Sequence, residues 1–190
     1  MSFCTGRTRQ AAGSRGRSAA ELSDSWAAIE NKATMAHKTN AIRIIESLGI
    51  RHGTALYEAG EEHLDAVAVA RRIGVEPEIV FKTLVARSEK GEVAVYCIPA
   101  PLELDLKKAA RAAGARKVEL VGLKELLPIT GYVRGGCSPV GMRKDYPTWI
   151  DETAILHEKI YVNAGCRGMQ VILTAEDLRR ACGARFADLT

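Results

Sequence analysis

One short strand constrains the fold of this chain more than any other segment. Residues 79–86 form a run of β-branched and aromatic side chains between Pro77 and the turn-like residues 88–91, and such a run predicts a strand inside a sheet. Lys82 lies in the middle of it. Burying an ammonium group is costly unless the group finds partners, so Lys82 either lies in a substrate-binding cleft or faces water. The pattern alone favours the solvated face at least as much, because most strand lysines lie there.

From Thr39 onward the chain alternates between helix and strand signals. N-cap residues, a capping box and C-terminal glycines predict helices over residues 40–48, 64–73, 106–113, 123–127 and 175–182. β-branched and alternating patterns predict strands over residues 50–57, 79–86, 92–99, 116–120, 148–150, 159–162, 169–173 and 185–189. Pro128 is expected to end the fourth helix. Because hairpin-like links join several strands, we expect an α+β (mixed α/β) fold and not a doubly wound sheet.

Residues 1–35 differ in composition from residues 36–190. The first twenty residues are rich in arginine, serine and glycine and have no periodicity, which predicts a disordered N-terminal extension. A frayed helix is expected over residues 21–33, and the acidic residues there argue against a transit peptide. We expect the natural start near Met35. Residues 36–190 are long enough for one compact domain with its own core.

Composition and charge exclude several classes of protein. Hydrophobic residues make up 47% of the chain and charged residues 26%, the balance of a soluble globular protein. The net charge of +4 gives only mild support for a polyanionic partner. Five scattered cysteines without a Cys-x-x-Cys pair indicate neither a disulfide framework nor a zinc site, so a reducing, cytoplasmic setting is expected. No apolar run approaches the ~18 residues of a membrane span.

Two glycine-rich loops, residues 135–141 and 163–168, are candidate ligand-binding segments. Paired glycines let backbone N–H groups approach a carbonyl oxygen, a ribose or a phosphate. The first loop matches neither a Walker loop nor a Rossmann fingerprint, and by itself it is more simply a tight structural turn. In the second loop, Arg167 is able to bind a phosphate or to face water.

A nucleophilic role for Cys137 and an RNA-binding role for the basic residues 107–117 are weaker hypotheses. A catalytic thiol needs a nearby base, and no histidine is adjacent to Cys137 in sequence, so a structural cysteine is favoured. The basic residues would give a helix a positive face for RNA, although charged helix faces are usually only solvated.

Seven short motifs occur in the order and spacing of one known family. They are Phe81-Lys82-Thr83-Leu84, the segments 104–109, 117–119 and 130–132, the loop 135–141, Ile160-Tyr161-Val162 and Arg167-Gly168. This ordered set, spread over about residues 39–189, resembles the YbaK/EbsC aminoacyl-tRNA deacylases, relatives of the editing insertion of bacterial prolyl-tRNA synthetases. The resemblance implies a single domain in which a mixed β-sheet curls into a partly closed barrel with flanking helices.

The resemblance also implies the site residues. Lys82 matches the family's essential lysine. Gly135 and Gly136 match catalytic residues of the family's substrate-binding loop, which corresponds to residues 135–141. The implied substrate-binding residues are Tyr57, Thr83, Ser138, Gly165, Arg167 and Gly168. Cys137 replaces a commoner aliphatic residue, and Cys166 stands where lysine is usual, a change that weakens an expected RNA contact.

The activity implied by the resemblance is hydrolysis of Cys-tRNA(Pro), the product of prolyl-tRNA synthetase mischarging cysteine. No cofactor or metal is required, because the ester is already activated. The substrate's own thiol would attack its carbonyl through a cyclic thioester, although direct attack by water stays open. The implied partners are tRNA-Pro and, as a helper for tRNA specificity, prolyl-tRNA synthetase.

Two other classes of protein stay open from the residues alone. One is a non-catalytic tRNA- or synthetase-binding module of the same fold. The other is a thiol-redox protein that uses Cys137 and Cys166, which requires thiols of depressed pKa.

Overall fold

The computed structural model describes residues 38–60 and 64–190. The extension expected over residues 1–35, with its frayed helix, lies outside the described residues. The helices are α1 (Asn40–Ser47), α2 (Ala66–Ile73), α3 (Leu106–Ala112), α4 (Leu123–Thr130) and α5 (Ala175–Cys182). The strands are β1 (Gly53–Leu56), β2 (Val80–Ser88), β3 (Val93–Pro99), β4 (Val118–Leu120), β5 (Thr148–Asp151), β6 (Ile160–Asn163), β7 (Met169–Leu173) and β8 (Arg185–Ala187).

The helix ends follow the local signals in the sequence. Thr39 caps α1 through its side chain, and Asp65 and Asp105 cap α2 and α3 in the same way. Thr174 accepts from the N–H of Asp177 at the start of α5, as the capping box predicts. These side chains satisfy backbone N–H groups that the first helical turn leaves unpaired.

The prediction that Pro128 ends the fourth helix is wrong. Helix α4 continues through Pro128 to Thr130 and ends at Gly131, which has a left-handed backbone with φ of 82°. The Thr130 hydroxyl donates to the carbonyl of Leu126 at 2.7 Å, and the Gly131 N–H donates to that of Leu127 at 2.9 Å. These bonds hold the last turn, so the one N–H that proline lacks does not end the helix.

Eight strands form one mixed sheet with the order β1-β7-β6-β2-β3-β5-β8, and β4 also pairs with β2. Strands β2 and β3 are the predicted antiparallel hairpin. On its other edge β2 pairs with β6 only at Val80 and Phe81, and pairing with β4 begins at Ala86. Between these two pairings, no described strand covers that edge of β2. Lys82 lies at this gap.

Helices pack on both faces of the sheet. One face carries Phe81 and Val162 under α1 and α5. The opposite face carries Val80 under α2 and Leu84 near α3. Because residues two apart in a strand share a face, Lys82 lies on this second face, between two apolar clusters. The fold therefore decides against the solvated alternative for Lys82.

Candidate substrate cleft

A mostly apolar cleft of about 280 Å³ opens on the face of the sheet that carries Lys82. One wall is α2, with Ala66 and Val69, and the opposite wall is the glycine loop at Arg134 and Gly135. The floor is formed by strand residues. The polar residues that line the cleft are Tyr57, Asp65, Lys82, Thr83, Arg134, Asn163 and Gln170. A concave apolar site with a few convergent polar groups is the usual form of a ligand pocket.

The ammonium group of Lys82 is held within the cleft by a carbonyl group. Its Nζ donates to the carbonyl of Ala100 at 3.1 Å, and Glu103 Oε1 lies 3.6 Å away. The Lys82 side chain is 23% exposed and that of Glu103 is 93% exposed, so the ion pair is weak. An ammonium carries three donors. Lys82 therefore keeps donor capacity for a ligand oxygen in the cleft.

The two predicted glycine loops are bound to one another by Asn163. Its Nδ2 donates to the carbonyls of Gly135 at 2.9 Å and of Cys166 at 3.2 Å, while its Oδ1 accepts from the N–H of Gly165 at 2.8 Å. A second link runs from Arg167 Nε to the carbonyl of Arg134 at 3.0 Å. The loops therefore form one rigid wall at the mouth of the cleft.

A side chain at Gly136 would be crowded by the backbone of this wall. A Cβ at Gly136 would lie 3.3 Å from the backbone nitrogen of Arg167 and 3.3 Å from the carbonyl carbon of Cys166. The N–H of Gly136 donates to the carbonyl of Val133 at 3.0 Å. Gly135, in contrast, is exposed and lines the cleft, with φ of 79°.

Tyr57 and Gly168 are brought together, as two of the predicted substrate-binding residues. The Tyr57 N–H donates to the carbonyl of Gly168 at 2.9 Å. Gly168 has φ of 86°, and a Cβ there would lie 3.0 Å from the carbonyl oxygen of Tyr57. Gly165, with φ of 94°, packs against the ring of Tyr132. Tyr57 lines the cleft, whereas the two glycines shape the backbone around it.

Two hydroxyl groups from the predicted set point away from the cleft. The Thr83 hydroxyl lies 4.0 Å from Cys97 Sγ, on the face of β2 opposite Lys82, so Thr83 lines the cleft only through the rest of the residue. Ser138 is fully buried, and its hydroxyl accepts from the N–H of Val140 at 3.2 Å. This bond stabilises the turn of the glycine loop.

The cysteine thiols are protonated at neutral pH. Burial raises the pKa of Cys137 to about 12 and also raises the pKa of Cys166. A redox or nucleophilic thiol needs the opposite shift. The raised pKa values of these two thiols argue against the thiol-redox alternative. Cys137 lines the cleft as a small apolar side chain.

Sequence reasoning missed four polar residues of the cleft, namely Asp65, Arg134, Asn163 and Gln170. Gln170 carries the same signal as Lys82, since it is a polar residue inside the apolar strand Met169–Leu173. Asn163 stands where a strand enters a glycine loop, a position at which an amide often bonds nearby backbone groups. Arg134 gives no comparable signal.

Comparison with known proteins identifies close similarity over most of the chain. Residues 61–181 match the family model described as "Aminoacyl-tRNA editing domain". The chain is 44% identical over 153 residues to the "Putative Cys-tRNA(Pro)/Cys-tRNA(Cys) deacylase EbsC" of Enterococcus faecalis, covering 80% of this chain and 93% of that protein. It is 27% identical over 109 residues to the uncharacterized protein YwhH of Bacillus subtilis, covering 57% of this chain and 69% of the relative.

A solved structure has the same fold. The crystal structure of "a putative trans-editing enzyme for prolyl tRNA synthetase" matches with a TM-score of 0.71 and 26% identity, over 82% of this chain and 99% of that one. The expected mixed fold is thus confirmed. Among the described residues, no helix is both long and apolar enough to cross a membrane.

Proposed function

The chain belongs to the aminoacyl-tRNA editing domain family, and from that premise we propose that it hydrolyses the ester of mischarged aminoacyl-tRNA, with Cys-tRNA(Pro) as its substrate. One observation carries the proposal. The Lys82 ammonium, held at 3.1 Å by the Ala100 carbonyl, lies in an apolar cleft beside the exposed backbone of Gly135. A donor held in advance where charge develops on an ester oxygen is the usual electrostatic device of acyl-transfer sites.

The nucleophile is proposed to arrive with the substrate. The Cys137 thiol in the cleft is protonated, because burial raises its pKa to about 12, so it is a poor nucleophile at neutral pH. In the proposed route, the thiolate of the substrate's cysteine attacks its own ester carbon. The bond to the ribose oxygen breaks, and that oxygen takes up the proton that the thiol gave up. Water then opens the cyclic thioester to free cysteine.

Lys82 and the loop have separate proposed roles. Lys82 would donate to the carbonyl oxygen or the terminal ribose, because an ammonium offers only donors. Gly135 would let the ester approach its backbone closely. The N–H of Gly136 already donates to Val133, so the proposed role of Gly136 is to keep the two loops in contact. Thr83 and Ser138 would support the backbone of the site, and Tyr57 and Arg167 would contact the substrate.

Two partners follow from the proposed substrate. The tRNA is proposed to be tRNA-Pro, and prolyl-tRNA synthetase is the proposed helper, because the structural neighbour is described as a trans-editing enzyme for that synthetase. Arg134 and Arg167 are exposed beside the cleft, where they would contact phosphates of the tRNA end. Such a reaction would take place in the cytoplasm, where aminoacyl-tRNA is used.

The test is hydrolysis of Cys-tRNA(Pro) by the purified protein, beside Ala-tRNA(Pro) and Ser-tRNA(Pro). We expect release of cysteine by the wild type and a rate loss of about 10²–10³ in Lys82→Ala, the usual effect of removing one such donor. Lys90→Ala is the matched control, since it removes an exposed lysine in the turn between β2 and β3, and should keep the full rate.

Each other outcome has a distinct meaning. Hydrolysis of alanine or serine esters alone would retain the deacylase and reject the thiol-assisted route. Equal rates in Lys82→Ala and Lys90→Ala would reject the role of Lys82. No hydrolysis of any ester, even with prolyl-tRNA synthetase present, would favour the non-catalytic binding module.

A further inference from the structure

One polar side chain on the floor of the cleft has an unsatisfied acceptor. Gln170 is 4% exposed, and its Oε1 is buried without a hydrogen-bond partner among the described residues. Leaving such an atom unpaired is costly, and buried polar groups in native proteins are nearly always bonded. Since Gln170 lines the cleft, a bound ligand is the natural partner.

Asn163 and Lys82, two polar residues beside Gln170 in the cleft, bond to backbone groups and not to Gln170 Oε1. Asn163 pairs with Gln170 across β6 and β7, but its amide is used by Gly135, Cys166 and Gly165. Lys82 Nζ is directed to the carbonyl of Ala100. The Gln170 oxygen thus has no partner among the described residues, and because it is an acceptor, a ligand that reaches it must present a donor.

The depth of Gln170 selects the part of the substrate that it meets. The aminoacyl group is the tip of aminoacyl-tRNA, so we expect Gln170, the most buried polar residue that lines the cleft, to meet the amino acid, while the nucleotides stay toward the mouth. The ester carbonyl is only an acceptor. The α-amino group is a donor in both its neutral and its protonated form, and every aminoacyl-tRNA carries it.

We propose that Gln170 recognises the α-amino group of the aminoacyl ester through its buried Oε1. This assignment rests on the proposed function and adds to it a residue that recognises the α-amino group of the substrate. Lys82 then donates to the oxygens of the aminoacyl ester, and Gln170 accepts from its α-amino nitrogen. An ester without an α-amino group leaves the Gln170 oxygen unpaired and is discriminated against.

The test compares Gln170→Met with wild type on two substrates. One is cysteinyl-tRNA, and the other is 3-mercaptopropionyl-tRNA, which lacks the α-amino group and adds no bulk. We expect kcat/KM of Gln170→Met to fall about 10- to 100-fold on the cysteinyl ester, as for a lost hydrogen bond to a charged group, and to change less than about threefold on the desamino ester. Comparing two enzymes on one ester cancels its intrinsic reactivity.

Thr54→Val is the matched control. Thr54 Oγ1 is the other buried side-chain atom without a partner among the described residues, but Thr54 pairs with Val171, on the face of the sheet away from the cleft. Both substitutions remove an unpaired buried atom, so both should keep or raise the melting temperature. Only Gln170→Met should lose activity on the cysteinyl ester.

Equal loss of kcat/KM on both esters, or no loss on either, would overturn the proposal and leave the deacylase standing. If the wild type hydrolyses neither ester, the proposed function fails instead, and binding decides about Gln170. The probe is then 3′-cysteinylamino-3′-deoxyadenosine, an amide that resists hydrolysis. Its addition should shift the NMR signal of the Gln170 side-chain amide, whereas the desamino probe should not. No shift with the cysteinyl probe would overturn the proposal.

Discussion

Asn163→Ala is expected to open the wall of the cleft and to reduce both stability and activity. The substitution removes three hydrogen bonds, to Gly135, Cys166 and Gly165, with lengths of 2.9, 3.2 and 2.8 Å. The bond to Gly135 is exposed, and the other two are part-buried. At about 0.5–1.5 kcal/mol for each bond, the exposed one counting least, the free energy of unfolding should fall by about 2 kcal/mol.

The same change should act on catalysis by a separate route. Without Asn163 the two glycine loops lose their main link, and the Gly135 backbone is no longer held beside Lys82. A displacement of about 1 Å in a reacting geometry can cost about 10²-fold, so we expect kcat/KM for the cysteinyl ester to fall by about 10- to 100-fold.

Thermal unfolding and steady-state deacylation measure the two effects. For a domain of this size, a loss of about 2 kcal/mol lowers the melting temperature by about 4–8 °C. The control is Asn40→Ala, which removes a single exposed bond of 3.2 Å to Gly141 at the far end of the same loop. It should change the melting temperature by less than about 2 °C, by the same conversion, and should leave kcat/KM unchanged. If Asn163→Ala behaves like Asn40→Ala, the linked wall does not position the site.

Three further predictions follow from named contacts. Arg134→Gln and Arg167→Gln should each weaken tRNA binding. Each should also lower the slope of log K against log salt concentration by about 0.7, the value for one phosphate of a single strand. An unchanged slope in both variants would show that neither arginine binds phosphate. Cys137 should react slowly with iodoacetamide near pH 8 and faster as pH rises toward its pKa of about 12, because only the thiolate reacts. Cys137→Ala should keep the deacylase activity. If that variant lost the activity, the hypothesis of a catalytic Cys137 thiol would be favoured again. Asp151→Ala should lower the free energy of unfolding by about 3 kcal/mol, because the fully buried Asp151 carboxylate accepts from Thr153 and from the Leu189 N–H. Urea unfolding measures this free energy. A loss under about 0.5 kcal/mol would contradict the prediction.

Local interactions let the sequence by itself determine most of the helix and strand positions. A cap such as Thr39 or Asp105 acts on N–H groups two or three residues away, and a strand such as β7 is an apolar run with one polar residue, Gln170. These signals lie within a few residues of one another, so they can be recognised in the sequence before the tertiary structure is known. The position of Lys82 inside a strand is of the same kind.

Only the tertiary structure decided which face of the sheet Lys82 occupies and what surrounds it. The packing of α2 and α3 on that face, and the gap between β6 and β4, depend on segments far apart in the chain. The same long-range pairing brings Asn163 and Gln170 to the cleft. Sequence alone determines the elements because their energetics are local, whereas the cleft arises where distant elements meet.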